Sequence, residues 1–308
     1  MTSTSATARR SGPQLRRKHG PRDDVPAYLM LAPAVILLTI FVIIPTVYAL
    51  YLSFYNWSFY KESEYVGLKN FTDVLTDPQF RAAVVRGLAF VLMTLPVQLV
   101  LSFLFASLVT SVGRRYASIL KVSIYIPTII SAVITSIIFA LIYEYSGGLL
   151  NAVVGMFGIE DQAWIGDPHL ALAAIAVPAI WMGLGLMSLI MIAAMLDIPE
   201  SLYEAAELEG ANWWQRTVYI TIPQMKNVVL YLLITGFVAG IQQYELPLVM
   251  TGGGPLDSTT LPNLFIFNHF RGDSYVGYSV AAALLLFVVL GTVSAGIFRV
   301  LNSEKLMD

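Results

Sequence analysis

Six long apolar stretches constrain the fold of this chain more than any other feature of its sequence. They cover about residues 28–54, 83–111, 118–143, 170–196, 227–250 and 277–301. A helix of about 20 mostly apolar residues is long enough to cross the hydrocarbon core of a bilayer. Charged residues make up 12% of the chain, against roughly 25% in soluble domains. The sequence therefore predicts an all-α, polytopic membrane protein with six transmembrane helices.

The distribution of Lys and Arg between the loops predicts the orientation, because cytoplasmic loops carry an excess of these residues. Thirteen lie in the N-terminal tail, the 2–3 loop, the 4–5 loop and the C-terminal end: Arg9, Arg10, Arg16, Arg17, Lys18, Arg22, Arg114, Arg115, Lys121, Arg216, Lys226, Arg299 and Lys305. Five lie in the opposite loops: Lys61, Lys69, Arg81, Arg86 and Arg271. Both termini are therefore expected in the cytoplasm, and the chain is expected to be a multi-pass protein of the cell (plasma) membrane.

The composition along the chain predicts three regions. Residues 1–27 are rich in Ser, Thr and Arg, which predicts a disordered basic tail lying along anionic headgroups on the cytoplasmic side. Residues 28–302 are predicted to form the transmembrane domain, and residues 303–308 a cytoplasmic C-terminal end. The first apolar stretch is too long for the core of a signal peptide, so we expect it to be retained as a helix.

The connection between the fourth and fifth spans, residues 197–223, is unlike a passive linker. Pro199 stands where a helix would start, since its missing N–H costs nothing in the first turn. Ser201 and Glu204 have the spacing of a capping box. Alternative caps are Asp197 and Ile198.

The same connection predicts a second short helix. Gly210 breaks the first helical run, Asn212 can cap the next one, and Pro223 is expected to stop it before the fifth span. The product would be two short helices with an elbow at Gly210. Ala205 and Ala206 give the first helix a surface of little bulk, which would allow the backbone of another protein to approach closely.

Two interpretations of this loop remain open from its residues alone. It can be an amphipathic interfacial helix pair, with Trp213 and Trp214 at the level of the lipid headgroups. Alternatively it can be a docking element for another protein.

One run of residues in this loop resembles a known family. Glu204-Ala205-Ala206-x-x-x-Gly210-Ala211, followed by Ile220-x-Ile222-Pro223, is similar to the EAA loop of binding-protein-dependent ABC importer permeases. In that family this loop is the coupling helix, which sits in a cleft of the cytoplasmic ATPase. The resemblance assigns ATPase coupling to Glu204, Ala205, Ala206, Gly210, Ala211 and Pro223. The sequence departs from the pattern at Glu209, where Asp is usual, and at Thr217, where Phe is usual.

Motifs in the three outer loops resemble the carbohydrate-uptake branch of the same family, and in particular its maltose-permease and glycerol-phosphate-permease type of subunit. They are Gly67-Leu68-Lys69-Asn70-Phe71 with Asp77-Pro78-x-Phe80, then Gly148-Leu149-Leu150-Asn151 with Trp164-Ile165-Gly166-Asp167-Pro168, and Thr251-Gly252-Gly253-Gly254-Pro255-x-Asp257-Ser258-Thr259. The resemblance extends from about residue 28 to residue 300.

Several kinds of chemistry are excluded by what the sequence lacks. It has no cysteine and a net charge of −2, which argues against thiolate catalysis, Cys-based metal sites and nucleic-acid binding through bulk positive charge. His19, His169 and His269 lie far apart, so no metal site is predicted. No Gly-Lys-Ser/Thr follows the glycines of residues 252–254, so a phosphate-binding loop is not predicted. We expect no enzyme and no cofactor on this chain, with ATP-Mg on a partner ATPase.

Polar residues within the fifth span suggest a substrate pathway, because polar groups at membrane depth usually face a cavity or another helix. Gln242, Gln243 and Glu245 cluster towards its outer end, and Gly236, Gly240 and Gln243 share one helical face. A sugar site would use the amides for its hydroxyl groups and the glycines for space. The alternative is that the glycines are packing notches between helices.

On the fourth span, Trp181, Gly185 and Ser188 share a face in the same way. Trp181 would supply an aromatic plate for the apolar face of a sugar ring, and the resemblance implies a sugar site at mid-membrane on these two helices. The alternative is that Trp181 is an ordinary core residue. Trp181, Gly185, Ser188, Gly236, Gly240, Gln242, Gln243 and Glu245 are therefore the predicted pathway residues.

The resemblance implies the type I ABC importer permease fold and half of a translocation pathway for a di- or oligosaccharide. It also implies a second homologous permease subunit, two copies of a cytoplasmic ATPase and an extracellular solute-binding protein as partners, beside the sugar and the membrane lipids. The alternative is a stand-alone, proton-coupled secondary sugar transporter, for which Glu144 and Glu245 would be the candidate acids. A membrane scaffold without transport activity is a third class.

Overall fold

The computed structural model describes residues 25–58, 62–272 and 276–301, with side chains from residue 28 onward. The α-helices are α1 (Val25–Leu38), α2 (Ile44–Leu52), α3 (Lys69–Thr76), α4 (Pro78–Ser111), α5 (Arg114–Ile129), α6 (Ala132–Ile142), α7 (Leu149–Gly155), α8 (Ala171–Leu196), α9 (Glu200–Leu208), α10 (Trp213–Arg216), α11 (Ile222–Gln224), α12 (Lys226–Ile241), α13 (Glu245–Met250), α14 (Pro262–Gly272) and α15 (Gly277–Leu301). Two π-helical turns, Thr39–Ile43 and Thr217–Thr221, follow α1 and α10. Two short strands, β1 (Tyr55–Asn56) and β2 (Glu64–Tyr65), pair in antiparallel fashion.

Five helical segments of the described chain are long and apolar enough to cross a membrane: Tyr28–Leu52, Pro78–Ser111, Ala171–Leu196, Lys226–Met250 and Gly277–Leu301. They match five of the six predicted spans. The prediction of a sixth, continuous helix over residues 118–143 needs correction, because α5 and α6 meet at an angle of 93°. This pair is a broken span or a re-entrant loop, which gives up to six crossings.

The break between α5 and α6 has a local cause. Pro127 lies in the last turn of α5, where it supplies no N–H, and Ile130 has an extended backbone conformation. Ser131 then starts a new helix, since its hydroxyl accepts a hydrogen bond from the N–H of Val133 at 3.3 Å. The end of one helix and the cap of the next therefore fall within a few residues.

The chain divides into two compact units, Met1–Tyr51 and Leu52–Asp308. In the first unit, none of the described side chains of residues 28–51 is buried, although almost all are apolar. Inside the helix, the hydroxyls of Thr39 and Thr46 each donate to a backbone carbonyl at 2.7 Å, so these two polar groups are satisfied by the helix itself. A helix with this surface suits a lipid environment.

The second unit is a helical bundle built around α4. This long helix packs along α8 and also against α12, while α8 packs against α5, and α15 packs against α12, α14 and α3. One buried cluster contains Met191, Met225 and Leu232, and another contains Ile175 and Leu246. The packing places α4, α8 and α12 around a common space.

Pro178 lies inside α8, where a proline removes the hydrogen bond to the carbonyl four residues earlier. That carbonyl belongs to Ala174, and the Tyr143 hydroxyl donates to it at 3.1 Å. Tyr143 is 4% exposed, so its hydroxyl and the freed carbonyl satisfy each other in the core. The chain after α6 is thereby fixed to α8.

At the N-terminal end of α4, Asp77 caps the helix by accepting a hydrogen bond from the N–H of Gln79 at 2.7 Å. The Tyr278 hydroxyl donates to the other oxygen of this carboxylate at 2.5 Å. Burial raises the pKa of Asp77, but the hydrogen bonds from Tyr278 and from the backbone of Gln79 and Phe80 outweigh it, and nearby His269 adds to them. The pKa of Asp77 therefore lies below its usual value.

Candidate functional site

The 197–223 loop contains the two short helices that the sequence predicts, but the first begins differently. Helix α9 starts at Glu200, and Pro199 is its N-cap, without a capping side chain. Ser201 lies inside the first turn, so the predicted capping box of Ser201 and Glu204 does not form. The negative charge of Glu200 still lies in the first turn, where it suits the helix dipole.

The predicted elbow at Gly210 is confirmed. This residue has φ of +77°, a left-handed conformation that glycine adopts far more readily than other residues. Its N–H donates to the Glu207 carbonyl at 3.0 Å, and the N–H of Ala211 donates to the Ala206 carbonyl at 2.9 Å. Together these bonds form the Schellman arrangement that ends a helix.

The second helix, α10, begins with the capping box that Asn212 predicts. The Asn212 side chain accepts from the N–H of Gln215 at 2.9 Å, and the Gln215 side chain accepts from the N–H of Asn212 at 2.8 Å. Each residue thereby satisfies a donor that the start of the helix would leave unpaired.

The helical run that contains α10 ends one residue after Pro223, at Gln224, and Met225 separates it from α12. The helical path continues from α10 through the π-helical turn Thr217–Thr221 into α11, where Pro223 occupies the first turn. In the π-helical turn the N–H of Ile222 donates to the Thr217 carbonyl, one residue further back than in an α-helix. This shift in hydrogen bonding lets the helical path include Pro223 before it ends at Gln224.

Two side-chain contacts join α9 to the segment that leads into α12. The hydroxyls of Tyr203 and Thr221 lie 2.9 Å apart. Glu207 forms an ion pair with Arg216. These contacts tie α9 to the π-helical turn and to α10.

The outward surface of the loop is apolar and acidic. Leu208 is 90% exposed and Trp214 is 66% exposed, and the side chains of Glu204 and Ala205 are also exposed. Exposed apolar residues grouped on a protein surface often mark a place where another protein or a membrane binds.

A cleft of about 360 Å³ lies between α4, α5, α8 and α12. Its lining residues are Phe90, Thr94, Gln98, Thr128, Ala179, Met182, Gly183, Leu186, Met187, Ile190, Tyr231, Leu232, Thr235, Gly236, Ala239, Gly240 and Gln243. Tyr231 is 56% exposed and Leu186 is 53% exposed, so the cleft is open on one side.

Two amide side chains in the cleft are held by backbone partners. The Nε2 group of Gln98 donates to the Ala179 carbonyl at 2.9 Å, and Oε1 of Gln243 accepts from the N–H of Glu245 at 3.1 Å. Because a carbonyl can only accept and an N–H can only donate, these partners determine which end of each amide is which. The polar surface of the cleft is therefore preorganised.

Three of the predicted pathway residues meet in this cleft: Gly236, Gly240 and Gln243. The two glycines also serve as packing notches. A Cβ added at Gly236 would lie 2.5 Å from Cδ1 of Leu95, and one at Gly240 would lie 2.6 Å from Cγ2 of Val91. The two interpretations of these glycines are compatible in this structure.

The other predicted pathway residues lie outside the lining of the cleft. The ring of Trp181 packs 5.8 Å from that of Phe139. A Cβ added at Gly185 would lie 2.3 Å from Oγ1 of Thr128, which makes Gly185 a point of close approach between α8 and α5. Ser188 is fully buried.

Two further predicted residues lie beyond the end of α12. Gln242 is exposed, and its carbonyl accepts from Nδ2 of Asn263 at 2.9 Å. Glu245 lies in the first turn of α13. Neither side chain lines the cleft.

Sequence reasoning missed six cleft residues that carry polar or aromatic groups: Phe90, Thr94, Gln98, Thr128, Tyr231 and Thr235. Gln98 had a usable signal, since it is an amide in the middle of the second apolar stretch, where polar groups are costly. Tyr231 had none, because aromatic residues are common in membrane helices. No group of three or more His, Cys, Asp or Glu residues that could hold a metal ion occurs in the described ranges.

Comparisons with known proteins agree with this architecture. Residues 78–305 match the family described as binding-protein-dependent transport system inner membrane component. The sulfoquinovosyl glycerol transport system permease protein of Agrobacterium fabrum is 31% identical, over 92% of each chain. The trehalose/maltose transport system permease protein of Thermococcus litoralis is 30% identical, over 87% of this chain and 91% of the relative.

A bacterial ABC transporter involved in the import of the acidic polysaccharide alginate has a similar fold, with a TM-score of 0.77 and 20% identity over 92% of this chain and 97% of that chain. These findings confirm the all-α membrane fold and the resemblance inferred from the loops. The chain belongs to the binding-protein-dependent transport system inner membrane components, and it is a transmembrane permease subunit of an ABC importer.

Proposed function

We propose that this subunit forms half of the pathway through which an ATP-driven importer carries a di- or oligosaccharide across the cell membrane. The observation that carries the proposal is the cleft between α4, α8 and α12, which combines amides, hydroxyls and aromatic rings at one open surface. Relatives named for trehalose and maltose and for sulfoquinovosyl glycerol support a sugar as the class of substrate.

The groups in the cleft suit a sugar. Gln98 and Gln243 offer amide groups, and the hydroxyls of Thr94 and Thr235 donate to carbonyls of their own helices, which leaves their oxygen lone pairs as acceptors. Tyr231 offers an exposed ring for the apolar face of a pyranose. Trp181, Gly185 and Ser188 would reach the sugar only if α8 turned relative to α4 and α5, as happens when a transporter alternates between its two open states.

We propose that the 197–223 loop is the coupling element, seated on a cytoplasmic ATPase that carries ATP-Mg. The surface around Glu204, Ala205 and Ala206 would dock, with the elbow at Gly210 and Ala211 setting its shape and Pro223 marking its end. The contacts of Tyr203 with Thr221 and of Glu207 with Arg216 would pass the motion of the ATPase to α12. Because α12 carries Gly236 and Gly240, the same motion would reshape the cleft.

The proposed assembly contains a second homologous permease subunit, two copies of the ATPase and an extracellular solute-binding protein. The open side of the cleft supports a second subunit, because a translocation pathway through the membrane must be enclosed by protein on all sides. The excess of Lys and Arg in the loops on one side supports cytoplasmic termini. The proposed regions of the chain are a basic tail over residues 1–27, the permease domain over residues 28–302 and the C-terminal end over residues 303–308.

Proton coupling without a partner finds little support in the described residues. A proton relay needs titratable groups along the pathway, and no Asp, Glu or His lines the cleft. Glu144 is exposed outside it, and Glu245 lies in the first turn of α13.

The test is uptake into proteoliposomes that contain this subunit with its partner permease, ATPase and binding protein. The probes are maltose and trehalose in labelled form. The proposal predicts uptake that requires ATP and the binding protein and that survives a protonophore. Uptake that needs no ATP and stops with the protonophore would support the secondary transporter instead. Absence of uptake for every sugar tested, with ATP hydrolysis intact, would contradict the proposal.

A further inference from the structure

The surface of the cleft carries no formal charge. Among the described residues that line it there is no Lys, Arg, His, Asp or Glu. Its polar groups are amides and hydroxyls, and the remaining side chains are apolar or aromatic. Uncharged surfaces of this kind are common where helices pack on each other. In a pathway that a polar substrate must cross, the absence of charge also limits which substrates the surface can bind.

The two amides display complementary groups. Nε2 of Gln98 is tied to the Ala179 carbonyl, and no described residue donates to its Oε1, which remains an acceptor. Oε1 of Gln243 is tied to the N–H of Glu245, and its Nε2 has no described acceptor, so it remains a donor. A hydroxyl group both donates and accepts. An acceptor on α4 and a donor in the short connection between α12 and α13 therefore suit a polyhydroxylated ligand.

For a negatively charged sugar, the free energy of binding to this cleft would be less favourable. Its carboxylate, sulfonate or phosphate would lose water on entering the cleft, and the described residues of this subunit that line the cleft offer no cationic side chain in exchange. An unpaired charge is far more costly to bury than a hydroxyl that makes its hydrogen bonds. The acidic residue nearest in sequence to Gln243, Glu245, would add repulsion and no attraction.

We propose that this permease selects uncharged oligosaccharides, with Gln98 and Gln243 as the residues that determine the preference. This inference rests on the proposed function, since it specifies the class of sugar that the same cleft accepts. It distinguishes the chain from importers whose substrates carry an acidic group, which include the relative named for sulfoquinovosyl glycerol, a sulfonated sugar, and the alginate transporter that shares its fold.

The experiment measures binding to the permease directly, so that the binding protein cannot impose its own selectivity. The complete complex of both permeases and the ATPase, without the binding protein, is held in nanodiscs at low salt. Equilibrium dialysis compares labelled uncharged sugars (maltose, trehalose, lactose and maltotriose) with uronic-acid di- and trisaccharides of matched size. The uncharged sugars are expected to bind more than about tenfold more tightly than the acidic ones.

Two lysine substitutions provide the matched pair. Gln243→Lys places a positive charge in the cleft, and it should narrow the preference for uncharged sugars by about tenfold or more. Gln242→Lys places the same charge one residue away, on an exposed side chain outside the lining, and it should leave the preference unchanged. Equal narrowing by both variants would mean that the charge acts from a distance and would overturn the assignment of Gln243.

The outcomes separate the inference from the proposed function. Equal binding of both classes, or tighter binding of the acidic sugars, would overturn the inference while ATP-dependent sugar uptake still stood. Absence of binding for every uncharged sugar would overturn it as well. Failure of the proposed function would appear separately, as the loss of ATP-dependent uptake for all sugars in proteoliposomes.

Discussion

Replacing Gly210 tests the elbow of the 197–223 loop with few side effects. A Cβ at this position would meet no atom within 4 Å, so the penalty comes from the backbone and not from a clash. The left-handed conformation at φ of +77° costs an L-residue roughly 1–2 kcal/mol. Gly210→Ala should therefore weaken the elbow by about that amount, and Gly210→Asn by less, because Asn tolerates this conformation better.

Gly210→Pro should have the largest effect. Proline is fixed near φ of about −65°, and it also removes the N–H that donates to the Glu207 carbonyl at 3.0 Å, a bond worth about 0.5–1.5 kcal/mol. The end of α9 would have to unwind. Because Gly210 is exposed and no atom lies within 4 Å of an added Cβ, the subunit should still insert in the membrane.

The assay is ATP-dependent uptake per inserted molecule, with retention of the ATPase on the purified permease as a second measure. Both should fall in the order Gly, Asn, Ala, Pro. Gly291→Ala is the control, because Gly291 also has open space around it but lies inside α15 without a positive φ. Near-normal uptake and ATPase retention in Gly210→Ala and Gly210→Pro would refute the coupling role of the elbow.

Three further predictions follow from contacts elsewhere in the chain. Glu207→Arg and Arg216→Glu should each lower transport per ATP hydrolysed, and the double exchange should restore it; failure of the exchange to restore coupling would argue against the ion pair as a link. Gly185→Ala should cost about 1–3 kcal/mol, since its methyl group would overlap Thr128; membrane abundance or melting temperature should fall while transport per molecule holds, and the reverse pattern would make Gly185 a pathway residue. Because its pKa is lowered, the ionised Asp77 carboxylate stabilises the fold at pH values above the ordinary carboxyl pKa, and this contribution is lost as the pH falls through the lowered pKa. Asp77→Asn should therefore reduce the fall of the melting temperature at acid pH. An unchanged fall of the melting temperature at acid pH would contradict the assignment.

The sequence was informative wherever a local rule determines the structure. The apolar stretches predict the long helices because backbone groups in lipid must be satisfied within the helix. The elbow at Gly210 and the cap at Asn212 were predictable because only the immediate neighbours decide a helix end. The stop predicted at Pro223 falls one residue later, at Gln224, since a π-helical turn before the proline changes which carbonyl each N–H reaches.

The parts that could not be predicted depend on which neighbour a helix face meets. The spacing of Trp181 and Gly185 shows that they share a face, but the period of a helix does not say whether that face meets a cleft or another helix. In the structure, Gly185 lies against α5 instead. Gln98 and Gln243, which follows the end of α12, line one cleft because α4 and α12 pack on each other, and this is a long-range contact that no local pattern encodes.

The most direct test of the pathway is transport per inserted molecule in Gln243→Ala, measured together with ATP hydrolysis stimulated by the binding protein. If Gln243 contacts the sugar, removing one neutral hydrogen bond, worth about 0.5–1.5 kcal/mol, should lower transport several-fold. ATP hydrolysis should persist, since the residue lies in the cleft and not in the 197–223 loop. Unchanged transport per molecule in Gln243→Ala would contradict the claim that this cleft is the path of the sugar.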